Sequence, residues 1–466
     1  MIVPTSRLLF WIAVVILPFA ALAGVYPEAV LISLVIIGGM VVLTLADAAL
    51  ALGRLDGISV ELPDVLRASK DRSATIAVRV RNTSQKPARL RLGLGLPPEL
   101  RPENDDVYVT LPQGTEWSQL EWRITPSRRG NFRISRAYLG TASRFGFWAV
   151  RRAVAVQGEV RVYPNLVTER KQLAALFLNR GILGLHAQRQ VGKGRDFEKL
   201  REYISGDSFD EIHWKATAKR GVPVTKVFQI ERTQEVYVVI DTSRLSARRL
   251  VSSVEFRASG FPATPGGPQH ETRNTKHETS VLERFLTSAL ILGQAAEHQG
   301  DLFGLITFAD QVQTFLRAKN GKEHYNACRD SIYTLEASET APDFDEIGAF
   351  IRTRLRRRAL LIFLTSLDDP VLAESFVRNV GLLAGQHLVL VNMLKPPGAQ
   401  PLFSQPDVEI IDDLYQHLGG HFQWQKLREL EKVLQRRGVR FSLVENDRLT
   451  TELVAQYVGV KQRQLI

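Results

Sequence analysis

The sequence predicts a multi-domain chain: a hairpin of two transmembrane helices, a β-sandwich-like module, and a C-terminal α/β domain of the Rossmann type. Two long apolar runs stand at the start of the chain, short runs of alternating apolar and polar residues follow, and strand patterns then alternate with helical patterns. A length of 466 residues leaves room for two to four domains. We place the boundaries at residues 1–54, 55–165, 166–234 and 235–466.

Composition narrows the class of protein. Sixty basic and 49 acidic residues leave a net charge of +11, but the excess is spread along the chain, so it does not predict binding to nucleic acid. The single cysteine, Cys328, excludes an intrachain disulfide framework and fits a reducing compartment. Because Cys328 stands in an amphipathic helical pattern, we interpret it as a core or half-buried residue and not as a nucleophile.

The apolar runs at residues 8–24 and 29–52 each approach the roughly 20 residues needed to cross a bilayer. The first could instead end in a signal-peptidase site at Ala21-Leu22-Ala23. Both alternatives leave the rest of the chain on the same side. Positive residues follow the second run whereas the connecting loop offers only Glu28, so the positive-inside rule predicts a multi-pass protein of the cytoplasmic membrane with its bulk in the cytoplasm. The positive residues are Arg54, Arg67, Lys70 and Arg72.

Residues 58–164 alternate apolar and polar side chains in short runs that recur roughly every ten residues. This period of two predicts an antiparallel sandwich. We expect the aromatic cluster at residues 145–148 to lie in its core. The C-terminal part predicts five strands and five helices in alternation, and therefore a mainly parallel sheet covered on both faces. The predicted strands are residues 235–241, 304–309, 360–366, 387–394 and 439–445.

Ligands of such sheets bind beyond the carboxyl ends of the strands. Residues 241–243, 308–310 and 365–369 fall there. Asp241 and Ser243 could supply oxygen ligands to Mg²⁺. The sequence has no phosphate-binding loop, nucleophile elbow or zinc-binding helix motif, and its nine histidines lack metal-ligand spacing.

Charged and aromatic residues are concentrated at residues 194–231, before the first strand of the α/β domain. The pattern G-R-D-F-E-x-L-R-E-Y-x-x-G-D, followed by I-H-W-K-A-T-A-K-R, resembles the signature of the domain of unknown function 58 family. An R-R-G hairpin at 128–130 and an R-F-G turn at 144–146 also resemble that family, although Arg144 stands where proline is usual. The signature residues are Gly194, Phe197, Leu200, Arg201, Glu202, Tyr203, Gly206, Asp207, Trp214 and Lys215.

The resemblance implies a von Willebrand factor A-like C-terminal domain, no established enzymatic activity, and a MoxR-type AAA+ ATPase as partner. It also implies an adhesion-type metal site, D-x-S-x-S, with further ligands from later loops. Asp241 and Ser243 match, Leu245 replaces the last serine, and Thr340 is the candidate for the threonine. Ser366 stands where the late aspartate would fall, although Asp368 and Asp369 follow closely. The loss of these oxygen ligands should weaken the binding of Mg²⁺, the one cofactor that the resemblance implies.

We therefore expect a non-enzymatic, membrane-anchored adaptor or scaffold whose A-like domain mediates protein–protein contacts, in complex assembly or envelope stress. Two alternatives stay open: a metal-dependent hydrolase around Asp241, and a purely structural envelope scaffold. For the signature segment we predict folding onto the A-like domain, with Tyr203 and Trp214 as packing anchors. A polar network should then either pair internally or present a docking face; its members are Arg201, Glu202, Asp207 and Lys215.

Overall fold

The computed structural model describes residues 1–83, 88–167, 169–171, 173–174, 191–204, 209–229, 234–251, 278–402, 404 and 411–463. They form two compact units, Met1–Asn165 and Leu166–Ile466. The division coincides with the predicted end of the β module. The predicted signature residues Gly206 and Asp207 lie outside the described residues.

Two apolar helices open the chain, α1 (Ser6–Val25) and α2 (Pro27–Ala51). Their mean hydropathies are 2.6 and 2.7, and in each helix only 6% of the apolar 18-residue window is buried inside the protein. The π-helical turn Ile12–Ile16 interrupts α1. Both helices are long enough to cross a bilayer. Because so much apolar surface is left uncovered, they suggest a membrane anchor and not the core of a soluble domain.

The β module is a sandwich of two sheets. One sheet has the strand order β1-β10-β9-β5-β7, with β3 beside β10, and the other has the order β2-β4-β8-β6. All pairs are antiparallel except β3 with β10. The strands are β1 (Ile2–Pro4), β2 (Ile58–Glu61), β3 (Val65–Ser69), β4 (Ala74–Asn82), β5 (Ala88–Leu94), β6 (Leu100–Pro102), β7 (Asp106–Leu111), β8 (Trp117–Pro126), β9 (Gly130–Ala142) and β10 (Trp148–Tyr163).

The period of two that predicted the sandwich also builds its core. In β4, Ile76, Val78 and Val80 are at most 2% exposed, while alternate residues face outward. The predicted aromatic core cluster is confirmed for Phe147, which is 7% exposed, but is wrong for Phe145, which is 49% exposed. Strand β1 was not predicted, because three residues before an apolar run carry no readable period.

The signature segment forms a two-stranded antiparallel ribbon, β11 (Val191–Glu202) with β12 (Val224–Gln229), and a helix α3 (Trp214–Arg220). The imidazole Nδ1 of His213 accepts a hydrogen bond from the Ala216 amide at 3.0 Å and so caps the helix. Gly221 ends it in the left-handed region, at φ +71°. The end of the signature segment forms β12, which pairs with β11.

The α/β domain has a six-stranded sheet in the order β17-β16-β13-β18-β19-β20, parallel except for β17. All five predicted strands and all five predicted helices are present; β14, β15, β17 and α9 were not predicted. The elements are β13 (Glu235–Asp241), β14 (Arg249–Val251), β15 (Glu278–Ser280), α4 (Val281–His298), β16 (Leu302–Phe308), β17 (Val312–Lys319), α5 (Lys322–Ile332), α6 (Phe344–Arg354), β18 (Leu360–Leu364), α7 (Pro370–Leu383), β19 (Leu388–Leu394), α8 (Ile411–Arg436), β20 (Arg440–Val444) and α9 (Leu449–Gln462).

Both faces of this sheet are covered, as predicted. Val238 of β13 packs in the core cluster that includes α4 and α9, and Val239 packs in the cluster that includes α6, α7 and α8. The predicted core position of Cys328 is confirmed at 0% exposure. The first strand of the sheet, β13, lies between the second, β16, and the fourth, β18. The strand order therefore reverses there, and the crevice beyond the carboxyl ends of β13 and β18 is where such folds bind ligands.

Candidate functional site

The crevice between β13 and β18 is built around the buried carboxylate of Asp241, which is 0% exposed. Its Oδ2 accepts a hydrogen bond from the Thr365 hydroxyl at 2.6 Å, and its Oδ1 accepts one from the Ser243 amide at 2.8 Å. Burial raises the pKa of Asp241, and the hydrogen bonds from Ser243 and Thr365 oppose that rise. Both carboxylate oxygens thus have donors supplied by the protein.

The segment after Asp241 closes on itself. Ser243 precedes a short 3-10 helix, Arg244–Ala247, and its hydroxyl oxygen accepts a 3.4 Å contact from the Leu245 amide. The Ser246 hydroxyl donates to the Asp241 carbonyl oxygen at 2.5 Å. Leu245, at the position of the last motif serine, is 6% exposed and offers no side-chain oxygen.

Thr340 comes close to this segment through its backbone only. Its carbonyl oxygen accepts a hydrogen bond from the Arg244 amide at 2.9 Å. Its hydroxyl donates to Asp310 Oδ1 at 3.1 Å and lies 2.9 Å from the Ser338 hydroxyl, on the exposed surface. The structure therefore brings Thr340 beside the crevice but directs its hydroxyl to another carboxylate.

Asp368 forms an ion pair with Arg248, through Oδ2 and Nη1. Its side chain is 12% exposed, and its Oδ1 is buried without a protein donor among the described residues. A cleft of about 410 Å³ opens beside it, with Leu367, Leu427 and Leu430 among its apolar lining. The positive charge at this carboxylate is the guanidinium of Arg248.

The residues present do not fit a bound Mg²⁺ ion. Mg²⁺ demands a near-octahedral set of oxygens. Here the Asp241 oxygens, the Thr340 hydroxyl and Asp368 Oδ2 all have partners within the protein. In the described part of the chain, no group of three or more His, Cys, Asp or Glu side chains could hold a metal. Asp369, the next carboxylate along the chain, caps α7 by accepting a hydrogen bond from the Val371 amide at 2.9 Å.

The described signature residues are spread over the ribbon and its helix. Gly194 and Phe197 lie in β11, and Leu200 is half-buried. Arg201 donates to the Glu202 carbonyl oxygen at 3.3 Å. The side chains of Glu202 and Lys215 are exposed.

The two expected packing anchors of the segment behave differently. Tyr203 is half-buried, with its ring 6.1 Å from that of Phe209. The prediction that Trp214 is a packing anchor is wrong: its side chain is 68% exposed, because it occupies the first position of α3 and points outward.

Sequence reasoning missed a set of exposed apolar side chains in this segment. Ile204 is 62% exposed, Phe209 is 73% exposed and Val222 is 43% exposed. Together with Trp214 they place four large apolar residues on the surface within nineteen positions of chain. The signal available was the absence of any periodic pattern around them, since buried residues of strands and helices recur with period.

Comparison with known proteins finds one family and several distant structural neighbours. The family described as "Protein of unknown function DUF58" matches residues 199–254 and 269–412. The conserved hypothetical protein BatB from Bacteroides thetaiotaomicron is 16% identical, with a TM-score of 0.28, over 49% of this chain and 99% of that chain. An aerotolerance-related membrane protein from Bacteroides fragilis is 16% identical, with a TM-score of 0.27, over 48% of this chain and 98% of that chain.

The CARDB domain of PF1109 from Pyrococcus furiosus is 19% identical, with a TM-score of 0.16, over 23% of this chain and 94% of that chain. No curated protein sequence matches. The six-stranded sheet with its antiparallel edge strand β17 is of the von Willebrand factor A type, as the resemblance implied. The chain carries a domain of the DUF58 family over residues 199–412, which follows two apolar helices and a β-sandwich module in the sequence.

Proposed function

We propose that the protein is a membrane-anchored adaptor whose DUF58 domain docks a partner protein, and that this partner is a MoxR-type AAA+ ATPase. The two uncovered apolar helices support the anchor. The positive residues that follow α2 support a cytoplasmic position for the rest of the chain. The ATPase is proposed from the family resemblance alone, and it would act with this protein in complex assembly or envelope stress.

The observation that carries the docking proposal is the exposed apolar set of the signature segment. Phe209 and Trp214 are 73% and 68% exposed. Exposed apolar surface costs about 25 cal/mol per Å² relative to burial, so large aromatic rings on a surface are candidates for contact with a partner. Tryptophan is enriched among residues that dominate binding energy. These rings lie in the part of the chain that carries the family signature.

The strand-end crevice supports an adaptor over a metal-dependent hydrolase. Hydrolysis assisted by a metal needs an open coordination position and a water molecule to activate. Asp241 instead receives donors from Ser243 and Thr365, and Asp368 pairs with Arg248. The structural scaffold alternative predicts that the β module, tethered by α1 and α2, rescues a deletion strain by itself, whereas the adaptor requires the DUF58 domain.

A co-purification experiment tests the proposal. The full chain is extracted from native membranes in detergent and isolated with a non-hydrolysable ATP analogue present, and bound proteins are identified by mass spectrometry. We expect an AAA+ ATPase with the unaltered protein. Truncating a dominant contact costs about 2 kcal/mol or more, so we expect at least about a 30-fold loss of affinity in the double variant Phe209→Ser/Trp214→Ser.

Tyr108→Ser is the matched control, since Tyr108 is an aromatic residue of the β module that is 78% exposed. It should bind the ATPase as the unaltered protein does. Failure to recover an AAA+ ATPase in any nucleotide state would refute the partner. Equal recovery with the double variant, at unchanged thermal stability, would instead refute docking through the signature segment.

A further inference from the structure

A buried charge stands in the second apolar helix. Asp47 is 0% exposed, although α2 is otherwise almost uncovered. Its carboxylate accepts hydrogen bonds from the Ser143 hydroxyl at 2.5 Å, the Phe145 amide at 3.1 Å and the Phe147 amide at 3.3 Å. A buried carboxylate is expensive unless donors surround it. All three donors come from the turn between β9 and β10, which we call the 143–148 turn.

The 143–148 turn makes a further contact with α2 and also contacts the residue that precedes α1. The indole Nε1 of Trp148 donates to the Thr44 carbonyl oxygen of α2 at 2.9 Å. The Thr5 hydroxyl, just before α1, donates to the Gly146 carbonyl oxygen at 2.6 Å, and the Thr5 amide donates to the Phe147 carbonyl oxygen at 2.9 Å. Strand β1 then pairs with the start of β10. The start of α1 and the end of α2 are thus fixed to one turn.

These contacts place the turn at the edge of the hydrocarbon core. At 1.5 Å per residue, the 25-residue helix α2 is about 37 Å long, whereas the hydrocarbon core is about 30 Å thick. Asp47 lies four residues before Ala51, about 6 Å along the axis from that end. The end of α2, and the 143–148 turn bonded to it, therefore lie at the boundary between the hydrocarbon core and the headgroup region.

The outer surface of the turn has the chemistry of that region. Phe145 is 49% exposed, and Arg144 and Arg7 are exposed. The Arg7 guanidinium passes 3.1 Å from the position that a Cβ atom of residue 146 would take, and Gly146 has φ +81°, so the position favours glycine. Aromatic rings and basic side chains are both favoured at the membrane–water interface.

We infer that the 143–148 turn is a third membrane-contact element: Asp47 holds it at the bilayer surface, Phe145 enters the interface, and Arg7 and Arg144 face lipid phosphates. This inference rests on the membrane anchor proposed above. It gives the R-F-G turn of the sequence a role that the adaptor function does not use. It also makes the N-terminal strand part of the β module, so that removal of the first span would remove a strand.

Site-directed labelling tests the inference on the full chain in vesicles of phosphatidylcholine and phosphatidylglycerol. Cys328 is buried and its burial raises the pKa of the thiol to about 12, so an introduced cysteine can be labelled selectively. An environment-sensitive fluorophore is attached at Phe145→Cys, and quenching by nitroxide-labelled lipids is measured. The control is Ser73→Cys. Ser73 is exposed and lies three residues after Lys70. The Lys70 amide donates a hydrogen bond to the carbonyl oxygen of Tyr163, the last residue of β10. That end of β10 is about 50 Å from Trp148, its first residue.

We expect quenching at position 145 and none at position 73. An unquenched probe at 145, in protein that resists carbonate extraction from the vesicles, overturns the inference while the anchor stands. Extraction by carbonate refutes the anchor and the inference together. Asp47→Ala should abolish the quenching at 145, and its persistence there refutes the role of Asp47. Should Asp47→Ala not fold, Ser143→Ala is measured instead and should reduce the quenching.

Discussion

Asp241 tests whether the strand-end crevice is held by hydrogen bonds or by a metal ion. Asp241→Ala leaves two buried donors, the Ser243 amide and the Thr365 hydroxyl, without an acceptor. Each unsatisfied buried donor costs about 1–3 kcal/mol, so we expect a loss of about 2–6 kcal/mol in the free energy of unfolding. Asp241→Asn keeps an acceptor for the Ser243 amide and removes a buried charge, and should change stability by no more than about 1 kcal/mol.

The assay is calorimetry of the full chain in detergent micelles, with and without Mg²⁺. Hydrogen exchange at the amides of β13 and β18 assigns the transition to this domain. A domain of this size shifts its Tm by about 2–4 °C per kcal/mol, so Asp241→Ala should unfold roughly 5–20 °C lower. Unaltered protein and both variants should be insensitive to Mg²⁺.

A metal site would give a different pattern. An ion present at 100 times its Kd adds about 2.7 kcal/mol, which is roughly 5–10 °C in Tm. A rise of that size in the unaltered protein, lost in Asp241→Asn, would contradict the hydrogen-bonded crevice and restore the adhesion-type site. The Asn variant is decisive because it preserves the shape of the side chain while removing the charge that a metal requires.

Three further predictions concern stability, measured by chemical denaturation. Burial lowers the pKa of His387, so the unfolded chain takes up a proton first as the pH falls. The free energy of unfolding is therefore full above pH 6.5 and falls below it, with a slope of at most about 1.4 kcal/mol per pH unit. His387→Leu should flatten that fall. Gly304→Ala sets a Cβ 2.4 Å from the Tyr237 ring and should cost about 1–3 kcal/mol, whereas Gly459→Ala, in open space on α9, should gain up to about 1 kcal/mol. Asp301→Ala strips the Tyr457 hydroxyl and Lys461 of their buried acceptor and should cost about 3–5 kcal/mol; a loss under about 1 kcal/mol would show that this network does not hold α9.

Much of the fold is readable from local pattern because burial repeats with the period of the element. Strand β13 is buried along nearly its whole length, and helix α4 carries a wide apolar face, so both were predictable. Strand β17 escaped because it lies at the sheet edge and only Ala318 along it is fully buried. The burial of Trp214 was predicted wrongly. A large aromatic residue suggests burial, yet the local sequence does not indicate which side of a two-turn helix is covered.

The site was harder to predict because its polar contacts join distant parts of the chain. Asp241 and Thr365 are 124 residues apart, Arg248 and Asp368 are 120 apart, and Asp47 and Ser143 are 96 apart. The D-x-S-x-S motif suggested a metal site because it covers a single loop and does not include the groups that other loops bring to Asp241. Only the fold reveals that Thr365 donates to Asp241.

The Arg248–Asp368 pair has a consequence for docking at this end of the sheet. A guanidinium stays charged at every physiological pH and cannot dissociate from the chain, unlike a bound divalent ion. Asp368 is nearly buried, so removal of Arg248 would leave an uncompensated carboxylate beside the cleft lined by Leu367 and Leu427. The positive charge at the strand ends is therefore supplied by the protein itself, through the guanidinium of Arg248. A partner that binds there should bind equally with chelator and with Mg²⁺, and a strong dependence on divalent ions would contradict this assignment of charge.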